Sequence, residues 1–152
     1  MSIEIERKFL VNRTDMLTGL RGIRMRQCYL ARGNVTVRVR ITDERAWLTV
    51  KGATLGIARP EFEYAIPLTD AYALEQLVSE TPIDKTRYEI TVGKHIFEVD
   101  VFQGVNAPLV IAEIELGSVD EDFPRPDWLG AEVTNDSRYR NSELAVAPFS
   151  TW

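Results

Sequence analysis

The sequence of 152 residues is poor in the side chains that most often carry chemistry: it has one cysteine, Cys28, and one histidine, His95. A single cysteine excludes an intramolecular disulfide, and no partner histidine is placed to make it a nucleophile. A single histidine excludes a His-based metal site. Neither the phosphate-binding pattern GxxxxGK[ST] nor the dinucleotide pattern GxGxxG occurs. No apolar run approaches the roughly 20 residues of a membrane-spanning helix, and nothing at the N-terminus reads as a signal-peptide h-region, so a soluble, cytoplasmic chain with no membrane partner is expected. Positive charge is also short. Lysine and arginine number 18 against 23 acidic residues, a net charge of −5 with a pI near 5.0. That balance argues against duplex nucleic acid as a partner, although it leaves room for a local anion site.

What is present is alternation. Hydrophobic residues make up 45% and charged residues 27%, a globular balance that reads as one domain over 1–152. In "IEIERKFLV" (3–11), Ile3, Ile5, Arg7, Phe9 and Val11 fall on one face; Glu4, Glu6, Lys8 and Leu10 fall on the other. The same period of two organises 27–32 and 35–42, which flank a Gly33-Asn34 turn, and then 46–52, 61–67, 83–92, 95–104 and 108–117. Residues 69–80 break the rhythm: Ala71, Leu74, Leu77 and Val78 recur at helical spacing, with Asp70 in the first turn. A second short helix is expected around 137–147. The fold class is therefore mainly β (α+β): an eight-stranded antiparallel closed β-barrel with a few peripheral helices. Cys28 reads as a small core residue, Trp47, Trp128 and Trp152 as packing residues, and His95, just after Gly93-Lys94, as solvent-facing.

The polar face of nearly every strand is charged, in blocks of one sign. Glu4 and Glu6 are followed by Lys8; Arg38 stands with Arg40, Glu61 with Glu63, Lys85 with Arg87, Glu98 with Asp100, and Glu113 with Glu115, while Lys51 and Arg59 add further bases. Like charges two apart on one face repel, and a surface selected for solubility mixes signs. Arginine, which suits bidentate contact with oxyanions, is well represented. Acids and bases nearly balance, as the lining of a wet interior requires. Carboxylates without His or Cys are hard ligands for Mg²⁺ or Mn²⁺, and clustered bases suit phosphate oxygens. Together they point to a polyphosphate bound with its metal.

The ordered set Glu4-x-Glu6-x-Lys8, Arg38-x-Arg40, Lys51, Arg59-x-Glu61-x-Glu63, Lys85-x-Arg87, Glu98-x-Asp100 and Glu113-x-Glu115 resembles the CYTH superfamily, the triphosphate tunnel metalloenzymes. The resemblance covers nearly the whole chain. It implies an antiparallel tunnel and metal-dependent action on a triphosphate-containing small molecule, most simply hydrolysis of inorganic tripolyphosphate to pyrophosphate and phosphate. By the resemblance, Lys8, Arg38, Arg40, Lys51, Arg59, Lys85, Arg87 and Arg138 grip phosphate, Arg138 standing where the family often has a lysine. Glu4, Glu6, Glu113 and Glu115, with Glu63 or Asp100 nearby, hold Mg²⁺, with Mn²⁺ as the alternative ion. Lys85 is the expected base, its pKa lowered by Arg87 and by partial desolvation, with Tyr29 as its helper. The other activities in view are a class IV-type adenylyl cyclase, a thiamine or nucleoside triphosphatase, and a non-catalytic polyphosphate-binding module. A homodimer is compatible with all of them.

Overall fold

The structure, a computed structural model, describes residues 2–152. Nine strands are present among the described residues: β1 (Ser2–Val11), β2 (Ile23–Ala31), β3 (Thr36–Ile41), β4 (Ala46–Lys51), β5 (Ala58–Ile66), β6 (Ile83–Val92), β7 (His95–Phe102), β8 (Val110–Glu115) and β9 (Leu129–Glu132). Two short helices, α1 (Leu68–Glu75) and α2 (Asn141–Leu144), accompany them. All pairings are antiparallel, in the order β5-β4-β3-β2-β6-β7-β8-β1, and β1 closes the ring by pairing Ser2–Ile5 with β5. Eight strands thus form a closed barrel. Where β5 leaves β1, β9 takes its place outside the ring, opposite Phe9 and Val11.

Strand parity turns the barrel inside out. The apolar face of each strand points outward and is covered by the rest of the chain. Phe9, Phe97, Val99, Ala112 and Ile114 lie beneath Leu17 and Trp128. Phe97, with no exposed surface, meets the rings of Trp128 and Phe123 edge-on at centroid distances of 5.3 and 6.2 Å. On the other side, α1 seats Ala71, Leu68 and Leu74 on Cys28, Val39, Ile41 and Ala46. The inward parity is charged along most of its length but turns apolar at one end. There Leu10, Ile83, Phe102 and Ile111 pack with Leu144 of α2 and Phe149, so the C-terminal segment stoppers the barrel. No helix among the described residues is long and apolar enough to cross a membrane.

Several sequence expectations need correction. The helix over 69–80 ends at Glu75, where the next turn tightens to three-residue spacing through Leu77 N–H to Leu74 O and Val78 N–H to Glu75 O. Leu77 is consequently 77% exposed. The C-terminal helix is split: Arg140 is extended, with φ −70° and ψ 139°, between a 3₁₀ turn at Ser137–Tyr139 and α2. The Gly33-Asn34 hairpin has a longer connection, since β2 stops at Ala31 and β3 starts at Thr36. His95 does not face solvent; it is buried, with Nε2 2.6 Å from Glu121 Oε2. Strand β9 was not anticipated, being too short to show alternation.

Because the outer face carries the main aromatic packing, Phe97→Ala is expected to cost about 3–5 kcal/mol in urea denaturation. Leu77→Ala, in the exposed turn after α1, is expected to stay within about 0.5 kcal/mol of wild type. Equal losses for the two would contradict the placement of the core.

Candidate active site

The inward face encloses a polar cavity of about 200 Å³. Its lining comes from all eight barrel strands and from the residues that open α2: Glu4, Glu6 and Lys8 of β1; Tyr29 of β2; Thr36, Arg38 and Arg40 of β3; Lys51 of β4; Arg59, Glu61 and Glu63 of β5; Lys85 and Arg87 of β6; Glu98 of β7; Glu113 and Glu115 of β8; and Arg140, Asn141 and Ser142. Each strand delivers its charges at every second residue, and the antiparallel register sets four acids beside bases, Glu4 opposite Arg59, Lys8 opposite Glu113, Lys51 opposite Glu61, and Arg87 opposite Asp100, while Glu6 faces Glu115 and Glu98 faces Glu113.

Ion pairs fill the interior. Lys51 Nζ lies 3.0 Å from Glu4 Oε2 and 3.3 Å from Glu61 Oε2, and Arg59 Nε lies 3.3 Å from Glu4 Oε1. Lys8 Nζ approaches Glu113 at 3.6 Å and donates to Tyr139 O at 3.2 Å. Arg38 donates to Thr49 Oγ1, which itself donates to Glu63. Arg38 Nε is buried with no partner among the described residues, a donor available to an anion. Deepest of all is a triad: Asp100 accepts from Lys85 Nζ at 2.7 Å and from Arg87 Nε and Nη2 at 2.7 and 2.8 Å. Lys85 and Asp100 are 1% and 0% exposed.

These contacts set the charge states. Burial alone would raise the pKa of Glu4, but Lys51 and Arg59 hold it below the usual carboxylate value. Glu113 is driven lower still, burial being outweighed by Lys8, Arg87 and Lys85. For Asp100 the opposing bases are Lys85 and Arg87. Glu6 shifts the other way: burial and the negative charges of Glu113 and Glu4 push its carboxyl well above the usual value. Among the described residues it makes no side-chain hydrogen bond or ion pair. Burial and Glu4 likewise raise Glu115. Burial brings Lys85 down to about 7, with Asp100 opposing and Arg87 and Arg40 adding to the fall.

Most of the residues singled out in the sequence thus share one cavity, with two exceptions. Arg138 is outside it. Its side chain is 61% exposed, paired with Asp136 at 2.7 Å and stacked over Trp152 at 4.7 Å. Arg140, the extended residue that precedes α2, borders the cavity instead. Asp100 is at the tunnel wall, but both its oxygens are taken by Lys85 and Arg87, which removes it from the candidate metal ligands. Five neutral residues were missed: Gln27, Thr36, Thr49, Asn141 and Ser142. Their only sequence signal is inward parity in β2, β3 and β4 and, for Asn141 and Ser142, position at a helix start.

No group of three or more His, Cys, Asp or Glu side chains is already gathered tightly enough to hold an ion among the described residues. Glu4, Glu61, Glu63, Glu98 and Glu113 are instead paired with lysine or arginine. The donor set nonetheless fits a hard divalent cation, since it is all oxygen and includes Glu6, a carboxylate lacking a counter-charge.

The sequence profile of the CYTH domain family matches residues 2–148. An inorganic triphosphatase of Acetivibrio thermocellus is 42% identical over the whole chain and 99% of its own length. One from Nitrosomonas europaea is 36% identical over 95% of this chain and 97% of its own. A crystal structure of an inorganic triphosphatase superposes with a TM-score of 0.68 at 35% identity, covering 93% of this chain and 96% of that one. A putative adenylate cyclase from Bacillus halodurans, at 18% identity and a TM-score of 0.61, shares the fold. With the profile spanning the barrel and the relatives matched end to end, the chain belongs to the CYTH domain family.

Proposed function

We propose that this protein is a metal-dependent inorganic triphosphatase that hydrolyses tripolyphosphate to pyrophosphate and phosphate in the cytoplasm. The observation that carries the reading is the cavity itself: apart from Tyr29 its lining is wholly charged, hydroxyl or amide, matched to a chain of phosphate oxygens and their metal. A nucleoside or thiamine group would need an apolar or stacking wall of its own. The full-length likeness to two inorganic triphosphatases supports the same substrate.

In this reading Lys8, Arg38, Arg40, Lys51, Arg59, Arg87 and Arg140 hold the phosphates, and Glu4, Glu6, Glu63, Glu113 and Glu115 hold Mg²⁺ or Mn²⁺. When bound, the ion offsets the negative charge of the phosphate oxygens. The bases that neutralise glutamates in the free protein turn to phosphate as the glutamates turn to the ion. Water attacks the terminal phosphorus. Lys85 takes its proton, and the bond to the bridging oxygen breaks, releasing pyrophosphate. Tyr29 lines the same space and orients the attacking water.

The test is phosphate release from tripolyphosphate, ATP and thiamine triphosphate, with Mg²⁺, Mn²⁺ or EDTA. Turnover is expected chiefly on tripolyphosphate, lost in EDTA and reduced at least about 100-fold in Glu6→Gln. Cyclic AMP formed from ATP, or tripolyphosphate bound without turnover, would replace the proposal with a cyclase or a binding module.

Lys85 accepts a proton only when neutral. Since burial sets its pKa at about 7 in the free protein, kcat/KM for tripolyphosphate is expected to rise with pH and level off above that value. Lys85→Ala is expected to lower kcat by about 10²–10⁴-fold and to abolish this limb. Near-normal turnover in that variant would remove Lys85 from the mechanism.

A further inference from the structure

Two neutral amides sit in the midst of the charged interior, and their hydrogen bonds allow each only one orientation. Gln27 is fully buried. Arg40 can only donate, so its 2.7 Å bond from Nε fixes the oxygen of Gln27 toward it. The amino group of Gln27 is thereby turned to Asn141, with Nε2 3.5 Å from Oδ1. That same Oδ1 accepts from Lys85 Nζ at 3.1 Å. On another side of Nζ, the Asp100 carboxylate accepts at 2.7 Å.

A neutral lysine amine has two N–H groups and one lone pair. Asp100 and Asn141 both present acceptor oxygens, so together they occupy both N–H groups. The lone pair is left with the remaining direction, and Lys85 borders the cavity. Were Asn141 turned the other way, its amino group would compete for the lone pair and an N–H would face the substrate.

We propose that Asn141 is a positioning residue for the reaction. Through the relay Arg40–Gln27–Asn141, it holds Lys85 with its lone pair, rather than an N–H, toward the cavity. The inference rests on Lys85 acting as the base. The groups around Lys85 are Asp100 and Phe102 of β7, Arg87 of its own strand, Arg40 of β3, Glu113 of β8, and Asn141. Asn141 is the only one of them that belongs to the C-terminal segment. The same segment that stoppers the barrel therefore also sets the orientation of the base.

The test compares Asn141→Ala, Asn141→Asp and Lys85→Ala by tripolyphosphate kinetics and by ¹³Cε NMR titration of Lys85 in the metal-free protein. Asn141→Ala is expected to lower kcat by roughly 10–100-fold while KM stays within about threefold. Losing an acceptor for the ammonium moves the Lys85 titration to lower pH. Asn141→Asp adds a negative charge and moves it to higher pH by about one unit. A residue that merely anchors the C-terminal segment would not shift the titration in opposite directions. Normal kcat in Asn141→Ala with Lys85→Ala inactive would overturn the positioning role alone. Normal turnover in Lys85→Ala would overturn the base and its positioning together. A fall in kcat with the Lys85 titration unmoved in both Asn141 variants would also overturn the proposal. If Asn141→Ala does not fold, the rise expected in Asn141→Asp carries the test, and an unmoved titration there overturns it.

Discussion

Everything in this structure depends on keeping a dense set of buried charges neutral. Removing a charge from water costs several kcal/mol per ion, and attraction between partners offsets that cost only where the geometry is close and the remaining hydrogen bonds are made. The barrel meets the condition by register. Antiparallel pairing places Lys8 opposite Glu113, Glu4 opposite Arg59 and Arg87 opposite Asp100, so that a one-residue slip in any strand would turn its charges onto the apolar outer face. Stability is supplied on that outer face, by the aromatic cluster around Phe97 and the seat of α1. The interior is left free for chemistry.

Neutrality also explains how such an interior can take a ligand. A cavity lined with unpaired bases would bind phosphate tightly, but the free protein would be hard to fold. Here the bases are paired with glutamates in the free protein, and the cavity carboxyls without a base partner among the described residues, Glu6 and Glu115, mark where a cation would complete the balance. A divalent ion bound with triphosphate would offset part of its negative charge, which is a physical reason to expect metal dependence.

Much of this was legible in the sequence because alternation and charge are both written residue by residue. Strand β6 falls at 83–92 in both readings, and the blocks of like charge point inward as expected. What was not legible falls into three kinds. Gln27, Thr49 and Asn141 are uncharged, so nothing in a charge pattern distinguishes Gln27 from its neighbours in "MRQCYL"; their importance lies in which atoms they touch. Arg138 and Arg140 differ through backbone dihedrals. One extended residue separates two helical turns, Arg140 there borders the cavity while Arg138 does not, and the sequence "SRYRN" suits either. Asp100 shows a third limit. Its parity and charge are those of a ligand, yet two bases claim it entirely.

The exchange of ion pairs for ligands is the central claim, and a crystal structure of the Lys85→Ala protein with tripolyphosphate and Mg²⁺ tests it most directly. The account predicts phosphate oxygens on Arg38, Arg40 and Lys51, Lys51 withdrawn from Glu4, and an ion held by Glu6 with its neighbouring glutamates. Tripolyphosphate bound outside the barrel, or inside it with the Lys51–Glu4 pair intact and no ion at Glu6, would contradict it.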